Sequence, residues 1–208
     1  NNTSLFLNEI LSKKKVMSIM ICDGLTYGIN GGLILRSGST FGFDNIFFCP
    51  PNKDEYNAKL YTEITFKDSK SRLHVSNNKL VYNNLFMKDV DRYSMISDNS
   101  INCKVHYNYD LELLLEVLKS LDYVIYVVEN DSSDLFLHET KLNNDKIAFI
   151  VGNEKMGVSK YIRNKILIDN IDNTDNSIKI LTIQTSKNNT SSSLNVAQAS
   201  LLIQSKRS

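Results

Sequence analysis

Short apolar runs punctuate an otherwise polar chain: VMSIMIC (16–22), NIFFC (45–49), YVIYVV (123–128), IAFIV (147–151) and IKILTI (178–183). Each has strand length and no polar alternation, the pattern of a strand covered on both faces. Elsewhere the period shifts to that of a helix. Residues 5–14 (LFLNEILSKK) set Phe6, Leu7, Ile10 and Leu11 on one face behind a Ser4 cap, and 110–121 (DLELLLEVLKSL) sets Leu111, Leu114, Leu115 and Leu118 on one face behind an Asp110 cap. A last helix, SLNVAQASLLIQS (193–205), opens at Ser193-Leu194-Asn195, with Ser193 as the natural N-cap and small residues over much of its surface. Strands alternating with helices predict an α/β fold on a mainly parallel sheet. Residues 71–83 (SRLHVSNNKLVYN) predict a hairpin turning at Asn77-Asn78. The rest of 52–108 is rich in Asn, Lys, Asp and Tyr and has poor periodicity. The expected organisation is an N-terminal helical extension (1–14) and one domain (15–208) carrying an Asn-rich insertion at about 52–100.

Composition narrows the function classes. With 42% hydrophobic and 23% charged residues in 208, the chain is an ordinary globular protein rather than a disordered, collagenous or disulfide-scaffold one. A net charge of +1 gives no global basic field, so any nucleic-acid contact must come from a local patch. Cys22, Cys49 and Cys103 are odd in number and lack metal-ligand spacing, which predicts buried thiols in a reducing, intracellular compartment, cytoplasmic or organellar, and no metal site. No apolar run approaches the ~20 residues of a membrane span, so no membrane partner is expected. The chain opens Asn1-Asn2-Thr3-Ser4 rather than on methionine, as a piece of a longer protein would, and a targeting segment would lie outside it. His74, His106 and His138 are scattered and receive no role. Lys13, Lys14 and Lys15 read as a solvated helix end, with an RNA phosphate contact as the alternative.

Three segments are candidates for chemistry. The first, DGLTYGINGGLILRSGSTFG (23–42), follows a strand and opens a helix, a junction whose backbone amides suit an anion. Its glycines, Gly24, Gly28, Gly31 and Gly32, do not fit GxGxxG, which disfavours a dinucleotide loop. Asn30 and Arg36 stand out instead, a rigid amide and a guanidinium suited to phosphate or ribose, although an ion pair and a cap would also explain them. The second, IAFIVGNEKMGVSKYI (147–162), runs from a strand through glycines on both sides of Glu154 into a Ser159-capped helix, a plain junction or a loop approached closely by a ligand. The third, ILTIQTSKNNTSSSLNVAQAS (180–200), is a strand, a polar loop and the last helix.

In this order, Asn30-Gly31-Gly32-Leu33-Ile34-Leu35-Arg36-Ser37, Gly152-Asn153-Glu154-Lys155-Met156-Gly157 and Ser193-Leu194-Asn195 resemble the three motifs of the SpoU/TrmH branch of the SPOUT RNA methyltransferases. The resemblance covers about 15–205 with 52–100 unmatched, and departs from the family pattern at Tyr27-Gly28 and Ile183-Gln184. It implies an α/β domain ending in a trefoil knot, a rare exception to unknotted topology. It also implies a homodimer with the C-terminal helix at the interface, and S-adenosyl-L-methionine held by Gly152, Ile183 and Leu194. The implied reaction is methylation of an RNA ribose 2′-hydroxyl, with tRNA favoured over rRNA because 14 residues before the first strand leave no room for a separate RNA-binding domain. By resemblance Arg36 is the candidate general base; because arginine stays protonated, stabilising the developing alkoxide and a neighbouring phosphate is the role its chemistry suits. Asn30 and Asn195 would orient Arg36 and the ribose, Glu154 would hold the loop or Arg36, and Ser193 would contact phosphate. A non-catalytic knotted RNA-binding relative and a nucleotide-binding α/β module are the alternatives.

Overall fold

The computed structural model describes residues 2–52, 71–96, 102–129, 135–172, 178–183 and 194–208. The apolar runs become strands Met17–Asp23 (β1), Asn45–Cys49 (β2), Val124–Val128 (β6), Lys146–Val151 (β7) and Lys179–Leu181 (β8); the expected hairpin forms as Leu73–Ser76 (β3) and Lys79–Tyr82 (β4), and Lys104–Tyr107 (β5) is a strand the sequence pattern does not predict. Helices Asn2–Ser12 (α1), Gly28–Thr40 (α2), Asn84–Ser94 (α3), Leu111–Ser120 (α4), Lys160–Asp172 (α5) and Val196–Arg207 (α6) connect or flank them. The main sheet runs β5-β2-β1-β7-β6-β8, and every pairing in it is parallel. This is the α/β architecture the apolar runs predict.

Side-chain alternation along the buried strands feeds two separate cores. Met20 and Cys22 of β1, Ile46 and Phe48 of β2, and Ile147, Phe149 and Val151 of β7 pack under α2, α3 and α6. Ile19 and Ile21, Phe47 and Cys49, and Ala148 and Ile150 pack on the other face, against α1, α4 and α5. All seven residues of β1 and all five of β2 are buried, which is why neither shows polar alternation in the sequence.

Local chemistry explains most element ends. Asp110 caps α4 through Leu113 N at 3.3 Å, as predicted, and Asn77 and Asn78 take φ of 48° and 62° at the hairpin turn, the backbone of a type I′ connection. Two expectations need correction. Helix α1 already runs at Asn2, so Ser4 lies inside it rather than capping it; Leu7 and Leu11 are fully buried while Phe6 falls on the solvent side. Helix α6 is capped not by Ser193 but by Asn195, whose side chain accepts from Ala197 N at 2.8 Å while Gln198 reaches back to Asn195 N at 3.3 Å, a reciprocal capping box.

The weakly periodic stretch holds two further elements. Asn83 accepts from Leu85 N (2.9 Å) and Phe86 N (3.2 Å) and starts α3, which buries Phe86, Val90 and Ser94. Strand β5 adds the outer edge of the sheet beside β2, with Val105 and Tyr107 towards one core and His106 stacked on Phe47 on the other face. Asn108 ties the hairpin to this edge, accepting from Tyr82 N at 2.7 Å and donating to Tyr82 O at 3.2 Å.

Candidate active site

Strand order reverses between β1 and β7, and in open parallel sheets the crevice at the carboxyl ends of such strands is where ligands bind. Both chain segments leaving these two strands belong to the candidate motifs. Helix α2 begins at Gly28 with Tyr27 as N-cap, and Tyr27 supplies no side-chain cap. The acceptor for Tyr27 N comes from 127 residues away. Glu154 takes Thr26 N and Thr26 Oγ1 on one oxygen (both 3.1 Å), and Tyr27 N (3.2 Å) and Asn30 Nδ2 (3.0 Å) on the other. A carboxylate at a helix N-terminus satisfies orphan amides and meets the positive end of the helix dipole. The anion at this glycine-rich junction is therefore the protein's own side chain.

The segment carrying Glu154 is a tight loop. Asn153 donates to Gly24 O at 2.7 Å and accepts from Lys155 N and Met156 N at 2.8 and 3.0 Å, while its backbone exchanges hydrogen bonds of 2.8 and 3.0 Å with Gly157. A Cβ on Gly152 would collide with the backbone of Gly157 and Val158, so only glycine fits there. Two strand-end carboxylates hold the far side of the loop: Glu129, after β6, accepts from Val158 N at 3.0 Å, and Asp23, ending β1, accepts from Ser159 N at 2.7 Å.

Behind this loop lies a cavity of about 470 Å³. Its wall includes Gly152, Ile183, Leu194 and Asn195, together with Val128 and Glu129. Five of the eight candidate site residues thus share one cavity, Glu154 among them, and Glu154 also holds the buried Asn30. Arg36 is not brought into this group. It is exposed on α2, where its Nη1 lies 3.1 Å from Met95 Sδ at the end of α3. Ser193 lies outside the described residues.

Two glycines of α2 serve packing. Gly28 and Gly32 face α3, where a Cβ would lie 2.6 Å from Asp89 Cβ and 2.7 Å from Tyr93 Cβ respectively. The two helices therefore approach at backbone distance, with no room for a phosphate between them. Burial pushes the thiols of Cys22 and Cys49 well up, and that of Cys103 to about 12, so all three are inert apolar filling. No group of three or more His, Cys, Asp or Glu able to hold a metal ion occurs among the described residues, and none of their helices is long and apolar enough to cross a membrane.

The architecture matches that of solved RNA methyltransferases. An AdoMet-bound rRNA methyltransferase from Sinorhizobium meliloti superposes with a TM-score of 0.62 at 12% identity, covering 97% of this chain and 59% of that one. An RNA 2′-O ribose methyltransferase gives 0.57 at 14% identity over 93% of this chain and 56% of that one, and a TrmH/SpoU tRNA-modifying enzyme from A. aeolicus gives 0.54 at 17% identity over 99% and 81%. The chain has the fold of the SpoU/TrmH methyltransferases. It spans a little over half the length of the first two of these proteins. No protein-family model and no curated protein matches the sequence.

Within that fold, sequence reasoning missed Glu129. It lies outside all three motifs, and only its position at the end of β6, one strand over from Gly152, brings it to the cavity.

Proposed function

We propose that the chain is an S-adenosylmethionine-dependent RNA methyltransferase acting on a ribose 2′-hydroxyl, and that it works as a homodimer with a knotted C-terminal segment. The observation that carries this reading is the convergence of the second and third motif segments on one cavity, with Gly152, Glu154, Ile183 and Leu194 in its wall and Glu154 bonded to Asn30 of the first motif at 3.0 Å. The activities of the proteins that share the fold point the same way. The cavity's volume suits a ligand of this size, since small-molecule sites commonly run from about 300 to 1,000 Å³. Gly152 and the apolar Val128, Val151, Ile183 and Leu194 are the residues that would hold the cofactor.

Bound there, S-adenosylmethionine would supply a methyl group already activated on a sulfonium sulfur. The protein's task is then alignment and charge stabilisation. Glu154 spends both oxygens fixing the start of α2 and Asn30, whose Oδ1 has no partner among the described residues and is left to orient the ribose or a guanidinium. Arg36 is permanently cationic and donates only, so it stabilises the developing oxyanion and an adjacent phosphate, and the hydroxyl proton leaves to water. Because Arg36 does not line the cavity of its own chain, it acts on the cavity of the second subunit. Exposed apolar residues support such pairing: Ile29 and Leu33 on α2 and Leu201 and Leu202 on α6 are each more than 40% exposed, on two helices that pack together through Gln204 and Ile34. Asn195 and Ser193 complete the phosphate and ribose contacts.

The deciding experiment incubates the protein with labelled S-adenosylmethionine and total RNA, and maps the label. Transfer to a ribose 2′-oxygen is expected, and the mapped RNA distinguishes a tRNA from an rRNA substrate. Binding of S-adenosylhomocysteine without transfer to any RNA would instead favour the non-catalytic relative. Arg36→Ala is expected to keep cofactor affinity and lose transfer by about 100-fold or more. Unchanged turnover in that variant would remove Arg36 from the mechanism.

A further inference from the structure

Most polar side chains of the cavity are spent on the fold. Both oxygens of Glu154 cap α2, Asn153 is consumed by Gly24, Lys155 and Met156, and Asn195 Oδ1 caps α6. Two charges are left. Among the described residues the Glu129 side chain uses one oxygen on Val158 N and makes no further hydrogen bond or ion pair, and the Lys155 ammonium makes none. They differ in depth: Glu129 is half-buried at the end of β6, whereas Lys155 is exposed at the outer turn of the loop. Glu129 is also held in place. It lies over Gly157, where a Cβ would meet its Oε1 at 2.9 Å, and Arg163 closes the other side of that glycine while donating to Met156 O at 2.7 Å.

We infer that Glu129 binds the ribose of the nucleoside in this cavity, accepting from its vicinal hydroxyls, and that Lys155 meets the carboxylate of the amino-acid arm at the rim. The inference rests on the function proposed above and assigns a role to residues outside that scheme. A carboxylate accepts and never donates when ionised, so its free oxygen calls for a donor, and a cis-diol offers two side by side. Its position at the carboxyl end of a strand, beside a glycine loop leaving the neighbouring strand, is where parallel nucleotide-binding sheets place the acid that reads ribose. Val128, its chain neighbour, and Val151, paired with Val128 across the sheet, would then lie against the base rather than the zwitterionic arm. With the Lys155 ammonium at the solvent edge, the nucleoside points inward and the amino-acid arm outward. The reverse orientation would set the arm's carboxylate against Glu129.

Calorimetry on the full chain separates the possibilities with three ligands: S-adenosylhomocysteine, 5′-methylthioadenosine, which keeps the diol but lacks the amino-acid arm, and the 2′,3′-dideoxy form of the latter. Glu129→Ala is expected to weaken the first two by a common factor of about ten or more, and to bind the dideoxy compound as the unaltered protein does. Lys155→Ala is expected to weaken S-adenosylhomocysteine alone. Glu129→Gln, which keeps an acceptor for Val158 N, separates loss of the ribose contact from loss of the loop, and should show an intermediate affinity with an unchanged melting temperature. Equal weakening of all three ligands by Glu129→Ala would mean that the carboxylate only supports the loop. Weakening of S-adenosylhomocysteine alone would mean that it faces the ammonium group, and either result overturns the inference while leaving the cofactor reading intact. Failure of the unaltered protein to bind any of them would overturn the proposed function itself.

Discussion

The two halves of the sheet use glycine for opposite ends. On the β1–β2–β5 side, Gly28 and Gly32 let α3 close onto α2, and the space that a side chain would fill is filled by Asp89 and Tyr93. On the β7–β6–β8 side, Gly152 lets the loop fold back onto its own backbone, and a cavity of about 470 Å³ remains beside it. The same residue type closes space in one half and preserves it in the other. Glu154 joins the halves, carried by one loop and spent on the helix start of the other.

Substitution at one glycine in each half breaks this comparison most directly. Gly152→Ala sets a Cβ against backbone that has no flexible end to move, so the loop must refold. We expect a loss of about 3 kcal/mol or more in denaturant unfolding, at the upper end for overpacking, together with loss of measurable S-adenosylhomocysteine binding. Gly32→Ala meets Tyr93 Cβ at 2.7 Å and Val90 O at 2.8 Å, a contact that α3 can relieve by sliding outward. It should cost about 1–3 kcal/mol while cofactor affinity stays within about twofold. Methyl transfer should fall more than affinity does, because Met95 at the end of α3 lies against Arg36. If both variants lost binding equally, the halves would not be separable in function.

Legibility in the sequence follows the range of the forces involved. Strands β1, β2, β6 and β7 were readable because burial on both faces leaves uninterrupted apolar runs, and α4 and the hairpin because Asp110 and Asn77-Asn78 act within a few residues. Helix α3 carries comparable local signals, an Asn83 cap followed by Phe86 and Val90 one turn apart, but they are diluted by charged neighbours on its exposed face. Strand β5 is four residues long and sits at an edge, too short for its alternation to stand out. By residue type Ser193 and Asn195 are equally good caps for α6, and the reciprocal Gln198 is what decides for Asn195. The site was legible only as three motifs in order. That Glu154 would cap α2 across 127 residues, and that Glu129 would join the cavity, are consequences of strand order, which no local pattern encodes.

The smallest expected effect tests whether the outer edge of the first half is electrostatically separate from the cavity. His106 on β5 stacks on Phe47 at 4.4 Å and bonds Asn45 Oδ1 at 2.9 Å; burial first, and then the charge of Lys104, lowers its pKa to about 4. The unfolded chain takes up this proton near pH 6.5, so between about 6.5 and 4 the unfolded state binds more protons than the folded one. The contribution of the neutral imidazole is therefore fully present above about pH 6.5, and is lost as pH falls towards 4. His106→Gln keeps a donor for Asn45 without the titration. Denaturant unfolding at pH 7, 6, 5 and 4 should show a shallower loss of stability in the variant than in the unaltered protein, a difference that cancels the carboxylates titrating in both. S-adenosylhomocysteine affinity at pH 7 and 6 should be the same in the two proteins, because His106 lies three strands from β7 and four from β6, and none of its partners lines the cavity. An affinity difference at pH 6 would show that the β5 edge and the cavity are coupled through the sheet, against the separation of the two halves.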